Sequence, residues 1–524
     1  MIYQGICEFI TLSNNFSVNY SVSRTLSLRE YPLTDSICRR GWLRRVAGLP
    51  LLSLAGPGAV ASAPGRRPNI LFLFTDDQRF SALNALNNPE VRTPTMDRLV
   101  RNGTAFTRAG IMGGTVGAVC APSRAMLMTG QTLFHVDRSI IRPQLASPAE
   151  RLPFRMFPEL LRQQGYETFA TGKWHNGEKL FARCFSSGEN IFFGGMSNHL
   201  KVPVADFDPS GQYPRSGRHT GPKFSSELFT DSAVGFLQRS PKDKPWLAYV
   251  AYTAPHDPRM APKEYADLYP PSKIRLPENF LPQHPFDNGE LRIRDEQLAP
   301  WPRTPEVIRE NIAAYYAMIT HVDAQMGRVV KALEDSGQAD NTIIVFAADN
   351  GLAVGQHGLL GKQNLYEHSV RVPLVIGGPG LPKGKRNDAL CYLYDVFPTL
   401  CGLTGSAVPP TVEGLSLEPV IRGRQSGVRD SMFFAYRDLQ RAVRTDRWKL
   451  ILYNVNGKQT AQLFDLHNDP LEMKNLAADP ARQPQVRELT ALMKTWIGKT
   501  NDHVDLDKPD WGIPAPVPAR KQSN

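Results

Sequence analysis

Residues 69–75, Asn-Ile-Leu-Phe-Leu-Phe-Thr, are apolar at every interior position. A strand with one wet face alternates apolar and polar side chains, so an unbroken run needs cover on both faces. Thr342 to Ala348 (TIIVFAA) has the same character, and Trp246 to Thr253 and Tyr166 to Thr171 read as further strands, with a short one at Pro373 to Ile376. Helical spacing falls between them. Thr93 to Asn102 repeats apolar residues at Met96, Leu99 and Val100, Glu159 to Gln164 is closed by Gly165, and Phe229 to Arg239 is a third helix. Val307 to Asp335 is the longest, with Tyr315, Ile319, Val322, Met326 and Val329 on one face. This alternation predicts an α/β fold: a large mixed, mainly parallel sheet flanked by helices on both faces.

Gly188 to His219 and Tyr269 to Thr304 break the alternation. Both read as long loops, and loops of that length in a compact enzyme usually carry function. Near Gly423 the texture changes to short β-like segments, Ser431–Tyr436, Arg441–Thr445, Trp448–Tyr453 and Ala461–Asp465, then a helix over Pro484 to Thr500. The expected division is a catalytic α/β domain over 64–424 and, over 425–524, a small C-terminal antiparallel sheet plus helix with a tail.

Residues 1–63 differ from both. Arg39, Arg40, Arg44 and Arg45 precede a soft apolar stretch, Val46 to Val60, that ends in the small residues Ala59 to Ala63. A basic region, an apolar region and an A-x-A site are the grammar of an export signal, here similar to the twin-arginine type, with cleavage expected after Ala61. The chain is therefore expected to be exported, periplasmic or extracellular. No apolar run reaches the roughly 18–20 residues of a membrane span.

The net charge is +11; residues 1–61 hold six arginines against three acids, which leaves the remainder basic. A basic exported protein suits an anionic substrate. The basic residues are scattered and no nucleic-acid motif is present, so nucleic acid is not an expected partner. The six cysteines, 7, 38, 120, 184, 391 and 401, fit neither a zinc site nor a disulfide framework, with one Cys391–Cys401 bridge left open.

The informative residues are those that end the strands. The first strand runs into Asp76-Asp77, the Tyr166 strand into Lys173-Trp174-His175, the Trp246 strand into Pro255-His256, and the Thr342 strand into Asp349-Asn350. Ligands of open α/β sheets bind beyond the carboxyl ends of the strands. Asp76, Asp77, Asp349 and Asn350 offer only oxygen, which suits Ca2+ or Mg2+ over zinc. Lys173, His175 and His256 are better placed to hold an anion and move protons.

Cys120-Ala-Pro-Ser-Arg124 follows a glycine-rich stretch. Pro122 belongs in the first turn of a helix, which puts Cys120 at a helix N-terminus that favours an anion, with Arg124 one turn on. A cysteine hydrolase would use the same placement.

C-x-P-S-R followed by Thr129-Gly130 resembles the signature of type I (formylglycine-dependent) sulfatases of the alkaline phosphatase superfamily, and the other motifs match in the same order. The resemblance implies that Cys120 is oxidised to formylglycine (3-oxoalanine) by a separate maturation enzyme, and that its hydrate is the nucleophile and also touches the metal. It implies Asp76, Asp77, Asp349 and Asn350 as ligands of Ca2+, with Mg2+ as the alternative ion, and Arg124 as stabiliser of the nucleophile. Lys173 and His175, in Gly172-Lys-Trp-His175, would contact the sulfate and the hydrate; Lys362 would bind sulfate; His256 would protonate the leaving alcohol. The implied reaction is hydrolysis of a sulfate ester on a sulfated small molecule or saccharide. A phosphodiesterase or phosphonate monoester hydrolase of the same superfamily is the nearest alternative, and a non-catalytic sulfated-glycan-binding protein a further one. Gln131 and Asn176 depart from the usual pattern, and Gly355, His357 and Glu367 have no implied role. Arg259, Arg292, Arg294 and His284 are candidates for reading other acidic groups on the substrate.

Overall fold

A computed structural model describes residues 66–142 and 154–513. The expected export signal lies outside the described residues. The main sheet has eight strands: β1 (Asn69–Thr75), β2 (Thr104–Phe106), β3 (Glu167–Lys173), β4 (Ser187–Phe192), β5 (Trp246–Ala251), β6 (Thr342–Ala348), β7 (Leu374–Gly377) and β8 (Lys385–Asn387). Their order is β8-β2-β7-β6-β1-β5-β3-β4. The four central strands β6, β1, β5 and β3 are mutually parallel, while β7 is antiparallel to both its neighbours. The sheet is therefore mixed and mainly parallel, as the apolar runs require.

Strand β1 shows why. Ile70, Phe72 and Phe74 join the core on one face of the sheet, Leu71 and Leu73 the core on the other, and all five are fully buried. Each such side chain stabilises the fold by about 1.5–3 kcal/mol. The second face is covered by α1 (Pro94–Asn102), α3 (Ser225–Arg239) and α4 (Pro305–Asp335), which pack on one another. Helix α2 (Cys120–Thr129) is buried along its whole length, which is why it lacks an amphipathic stripe.

The C-terminal strands β9 (Met432–Tyr436), β10 (Gln440–Arg444), β11 (Trp448–Val455) and β12 (Lys458–Asp465) form an antiparallel meander beside helix α5 (Gln483–Lys499). A fifth strand, Gly113–Gly114, joins β9 in parallel from just ahead of Cys120. Gly113 allows this contact: at its φ of +103° a β-carbon would lie 2.0 Å from the Ala435 carbonyl oxygen.

Three expectations need correction. Gly188–His219 is not all loop, because most of β4 falls within it as an edge strand; its polar Ser-Gly-Glu-Asn start hid it. Cys391 and Cys401 are separate free thiols, the first in a short strand and the second in a helix, so no bridge joins them. The expected helix starts also shift, since Phe157, Ser225 and Pro305 begin helices placed a few residues later from sequence. No helix among the described residues is long and apolar enough to cross a membrane.

Candidate active site

Because β6, β1, β5 and β3 are adjacent and parallel, Asp349-Asn350, Asp76-Asp77, His256 and Lys173 leave the same edge of the sheet. At the end of β3 the backbone adopts a φ of +86° at Gly172, where a β-carbon would lie 1.9 Å from the Ala251 carbonyl oxygen. Only glycine fits there, and the turn carries Lys173 into the cleft. Helix α2 starts at Cys120 and points its N-terminus at the same place.

Every residue singled out from sequence for the catalytic and metal positions is found here. The Cys120 sulfur lies 3.5 Å from Lys173 Nζ and 3.4 Å from His175 Nδ1. Lys173 Nζ donates to Asp76 Oδ2. Lys362 Nζ donates to both oxygens of Asp77, at 2.7 and 2.9 Å. Asn350 Nδ2 donates to Asp77 Oδ1 at 2.7 Å, and the Asp77 amide donates to Asp349 Oδ1 at 3.0 Å. Arg124 is fully buried; its Nε donates to Asp349 Oδ2 and its Nη1 to the Lys173 carbonyl, both at 2.9 Å. Helix α2 and the two strand ends are thereby tied through one guanidinium.

The donor set fits a hard cation. Asp76, Cys120 and Asp349 present ligand atoms within 4.8 Å of one another, as do Asp76, Asp77 and His256. Asp76 Oδ1 and Asn350 Oδ1 are buried with no hydrogen-bond partner. Unpartnered buried oxygens are costly unless an ion or donor meets them, and oxygen donors match Ca2+ or Mg2+.

Electrostatics separates the roles. Burial pushes the Cys120 thiol up, outweighing Lys173 and Lys362, so the unmodified sulfur is a poor thiolate. Burial and the nearby Lys173 and Arg124 charges hold His175 well below the usual imidazole range, which keeps the ring neutral. Burial works against the charge of Lys362, but Asp77 overrides it and holds the ammonium well above its usual range.

Sequence reasoning missed Asp257, Glu296 and Arg303, and the supporting roles of Arg294 and Asn176. His256 Nδ1 donates to the Asp257 carbonyl at 2.8 Å; a carbonyl can only accept, so this bond fixes the tautomer and leaves Nε2 facing Asp77 Oδ2 at 3.5 Å. Asp257 is gripped by both guanidinium arms of Arg294, one at 3.0 Å. Arg294 therefore serves the His256 turn, not a free surface. His284 is buried with Nδ1 on the His357 carbonyl, and Arg259 donates to Asn311, while Arg292 is exposed. Glu296 accepts from the Leu360 and Gly361 amides at 3.0 and 2.8 Å and pairs with Arg303, which sets the turn before Lys362. Asn176 is buried and donates to the Ala121 carbonyl at 3.1 Å, bracing the first turn of α2. His357 stacks on Tyr366 at 4.0 Å, and Glu367 pairs with Arg444 and Lys449, tying the His368 segment to the C-terminal sheet.

The chain is similar to known proteins. The Sulfatase family profile matches residues 68–406, and that of the N-sulphoglucosamine sulphohydrolase C-terminal region matches residues 355–499. The ulvan-active sulfatase of Formosa agariphila is 29% identical over 458 residues, 83% of this chain and 82% of its own. The choline-sulfatase of Rhizobium meliloti is 30% identical over 469 residues, 81% of this chain and 85% of its own. A solved structure in complex with its substrate D-glucosamine-2-N,6-O-disulfate shares the fold at a TM-score of 0.70 and 24% identity, covering 85% of this chain and 99% of that one. With two thirds of its length matched by the family and its strand ends converging on one buried cysteine, the chain belongs to the sulfatase family of the alkaline phosphatase superfamily and is a sulfuric ester hydrolase.

Proposed function

We propose that the chain is an exported enzyme that removes sulfate from a sulfated carbohydrate, using a nucleophile made from Cys120. The observation that carries this is the setting of Cys120: a fully buried thiol, too poor an acid to attack by itself, at a helix N-terminus between Lys173 and His175 and beside four oxygen donors. Such a thiol makes sense as a precursor. Oxidised to formylglycine by a maturation enzyme and hydrated, position 120 supplies a geminal diol, one hydroxyl to attack sulfur and the other to lose its proton when sulfate departs.

Asp76, Asp77, Asp349 and Asn350 would hold the cation, Ca2+ in preference to Mg2+, which supplies Lewis-acid polarisation of sulfate oxygens. Lys173 and Lys362 bind the remaining sulfate charge, which grows on the way to the transition state. Arg124 pairs with Asp349 and orients the first turn of α2. To act as general acid His256 carries a proton on both ring nitrogens: Nδ1–H is held by the Asp257 carbonyl, and Nε2–H is given to the leaving alcohol, which leaves the neutral ring. Neutral His175 accepts the proton of the hydrate as the aldehyde re-forms. A sulfated saccharide is supported by the basic charge of the chain and by the ulvan-active relative. Export is supported by the twin arginines and the small-residue site at Ala59 to Ala63.

The test compares kcat/KM on a sulfate monoester and a phosphate diester, for the full chain and for Cys120→Ala. Preference for the sulfate ester, abolished by the substitution, is expected. Preference for the diester would assign the chain to phosphodiester chemistry, and unchanged sulfate release by Cys120→Ala would remove the nucleophile.

A further inference from the structure

A second cavity, of about 420 Å³, opens where the loop after Asp77, the segment around Pro277 and the Pro470–Glu472 turn meet. None of the catalytic or metal residues above lines it. Arg79 does. It is 96% buried, Nε and Nη1 have no hydrogen-bond partner, and its guanidinium pairs with no acid among the described residues. Its guanidinium lies over the Tyr315 ring, 5.6 Å from the ring centroid. A buried guanidinium without an acceptor costs several kcal/mol in principle, so the surroundings normally supply an anion or ordered polar groups. Arg124, Arg303, Arg441 and Arg444 are also buried, and each is answered by an acid: Asp349, Glu296, Asp502 and Glu367.

The rest of the wall is suited to a sugar. Phe80 is backed by the Arg371 guanidinium, Tyr316 adds a second ring, Asn87 and Gln356 contribute amides to the lining, and Glu278 contributes an exposed carboxylate that makes no ion pair among the described residues. Amides and a free carboxylate serve ring hydroxyls, aromatic edges serve the C–H face, and the volume lies in the range of small-ligand sites. We propose that this cavity is a second saccharide site, separate from the sulfate-cleaving centre, in which Arg79 pairs with the carboxylate or sulfate of an acidic sugar unit. The sugar part of this inference rests on the substrate class proposed above; the anion part rests on Arg79 alone.

The site also has a route to the metal loops. Tyr315 donates to the Asp77 carbonyl at 2.7 Å and accepts from the Arg79 amide at 3.0 Å. A β-carbon on Gly351 would touch Arg79 Cα at 3.1 Å. An occupant of the cavity therefore sits one residue contact away from both metal-binding turns.

Two acidic sugars that carry no sulfate ester, D-glucuronate and D-galacturonate, are titrated calorimetrically into the full chain, Arg79→Met, Arg79→Lys and Ser81→Trp. Ser81 is an exposed residue in the cavity lining, so an indole placed there obstructs the cavity while the Arg79 side chain itself is kept. Binding of at least one probe is expected to weaken about tenfold or more in Arg79→Met, ~1.4 kcal/mol, to recover in part in Arg79→Lys, and to vanish in Ser81→Trp. Turnover of a small aryl sulfate by Ser81→Trp stays within about twofold of the parent, because the cleaving centre is intact. Equal binding to the parent and both blocking variants, or no binding of either probe at millimolar concentration, overturns the proposal. Binding is read without turnover, so a failure of the sulfate-cleavage scheme would appear separately, in the aryl sulfate assay.

Discussion

Replacing Arg124 with Met keeps the bulk of the side chain and removes its charge. Both Arg124 and Asp349 are fully buried and meet at 2.9 Å. At an effective dielectric near 20, two unit charges at that distance attract by ~6 kcal/mol before desolvation is counted. Breaking a buried pair by removing one partner costs about 3–5 kcal/mol, because the other charge is stranded. Burial and Asp76 already push the Asp349 carboxyl above its usual range, and the Arg124 charge opposes them. Without it, the Asp349 carboxylate is left buried beside Asp76 with no cation paired to it. Urea unfolding of Arg124→Met is expected to show that loss of about 3–5 kcal/mol. Asp349→Asn and the double variant complete a thermodynamic cycle, with an expected coupling of ~2 kcal/mol or more. Additivity within ~0.5 kcal/mol would refute the claim that this pair fastens helix α2 to the strand ends.

Three further outcomes follow from the same geometry. Lys362→Met removes the ammonium bonded to Asp77 and should lower kcat/KM on a sulfate ester by roughly 100- to 1000-fold, measured at saturating metal. Chelation with EDTA should lower both activity and the thermal midpoint, and Ca2+ should restore both, since a ligand bound only by the folded state stabilises it. Glu367 is buried, which alone would raise its pKa, but Arg444 and Lys449 pull it down to about 2. A depressed folded pKa gives stability that is present above the unfolded value near 4.5 and is lost as pH falls towards 2. Glu367→Gln should therefore flatten the acid limb of the stability curve between those values, as read by urea midpoints; an unchanged limb would show that the pair contributes nothing.

The parts of this molecule that can be read from sequence are those where one residue's environment repeats along the chain. Strand β1 is buried on both faces, so its apolar run is continuous and its end at Asp76 is unmistakable. Pro122 and Gly130 punctuate helix α2 locally, so the placement of Cys120 needed no tertiary information. Strand β4 escaped because an edge strand has only one strand neighbour and can carry Ser, Glu and Asn. The supporting residues escaped for a different reason. Arg294 reaches Asp257 across 37 positions and Glu296 reaches Leu360 across 64, and no periodicity links such pairs. Arg294 looks like a surface charge in a polar loop until the fold shows what it grips.

Hydrazide labelling of the aldehyde at residue 120, quantified against sulfate-ester turnover across preparations with different extents of maturation, tests the central claim most directly. Turnover proportional to aldehyde content, falling to the background of Cys120→Ala as that content approaches zero, is the predicted result. Full turnover from protein whose residue 120 is still a thiol would contradict it.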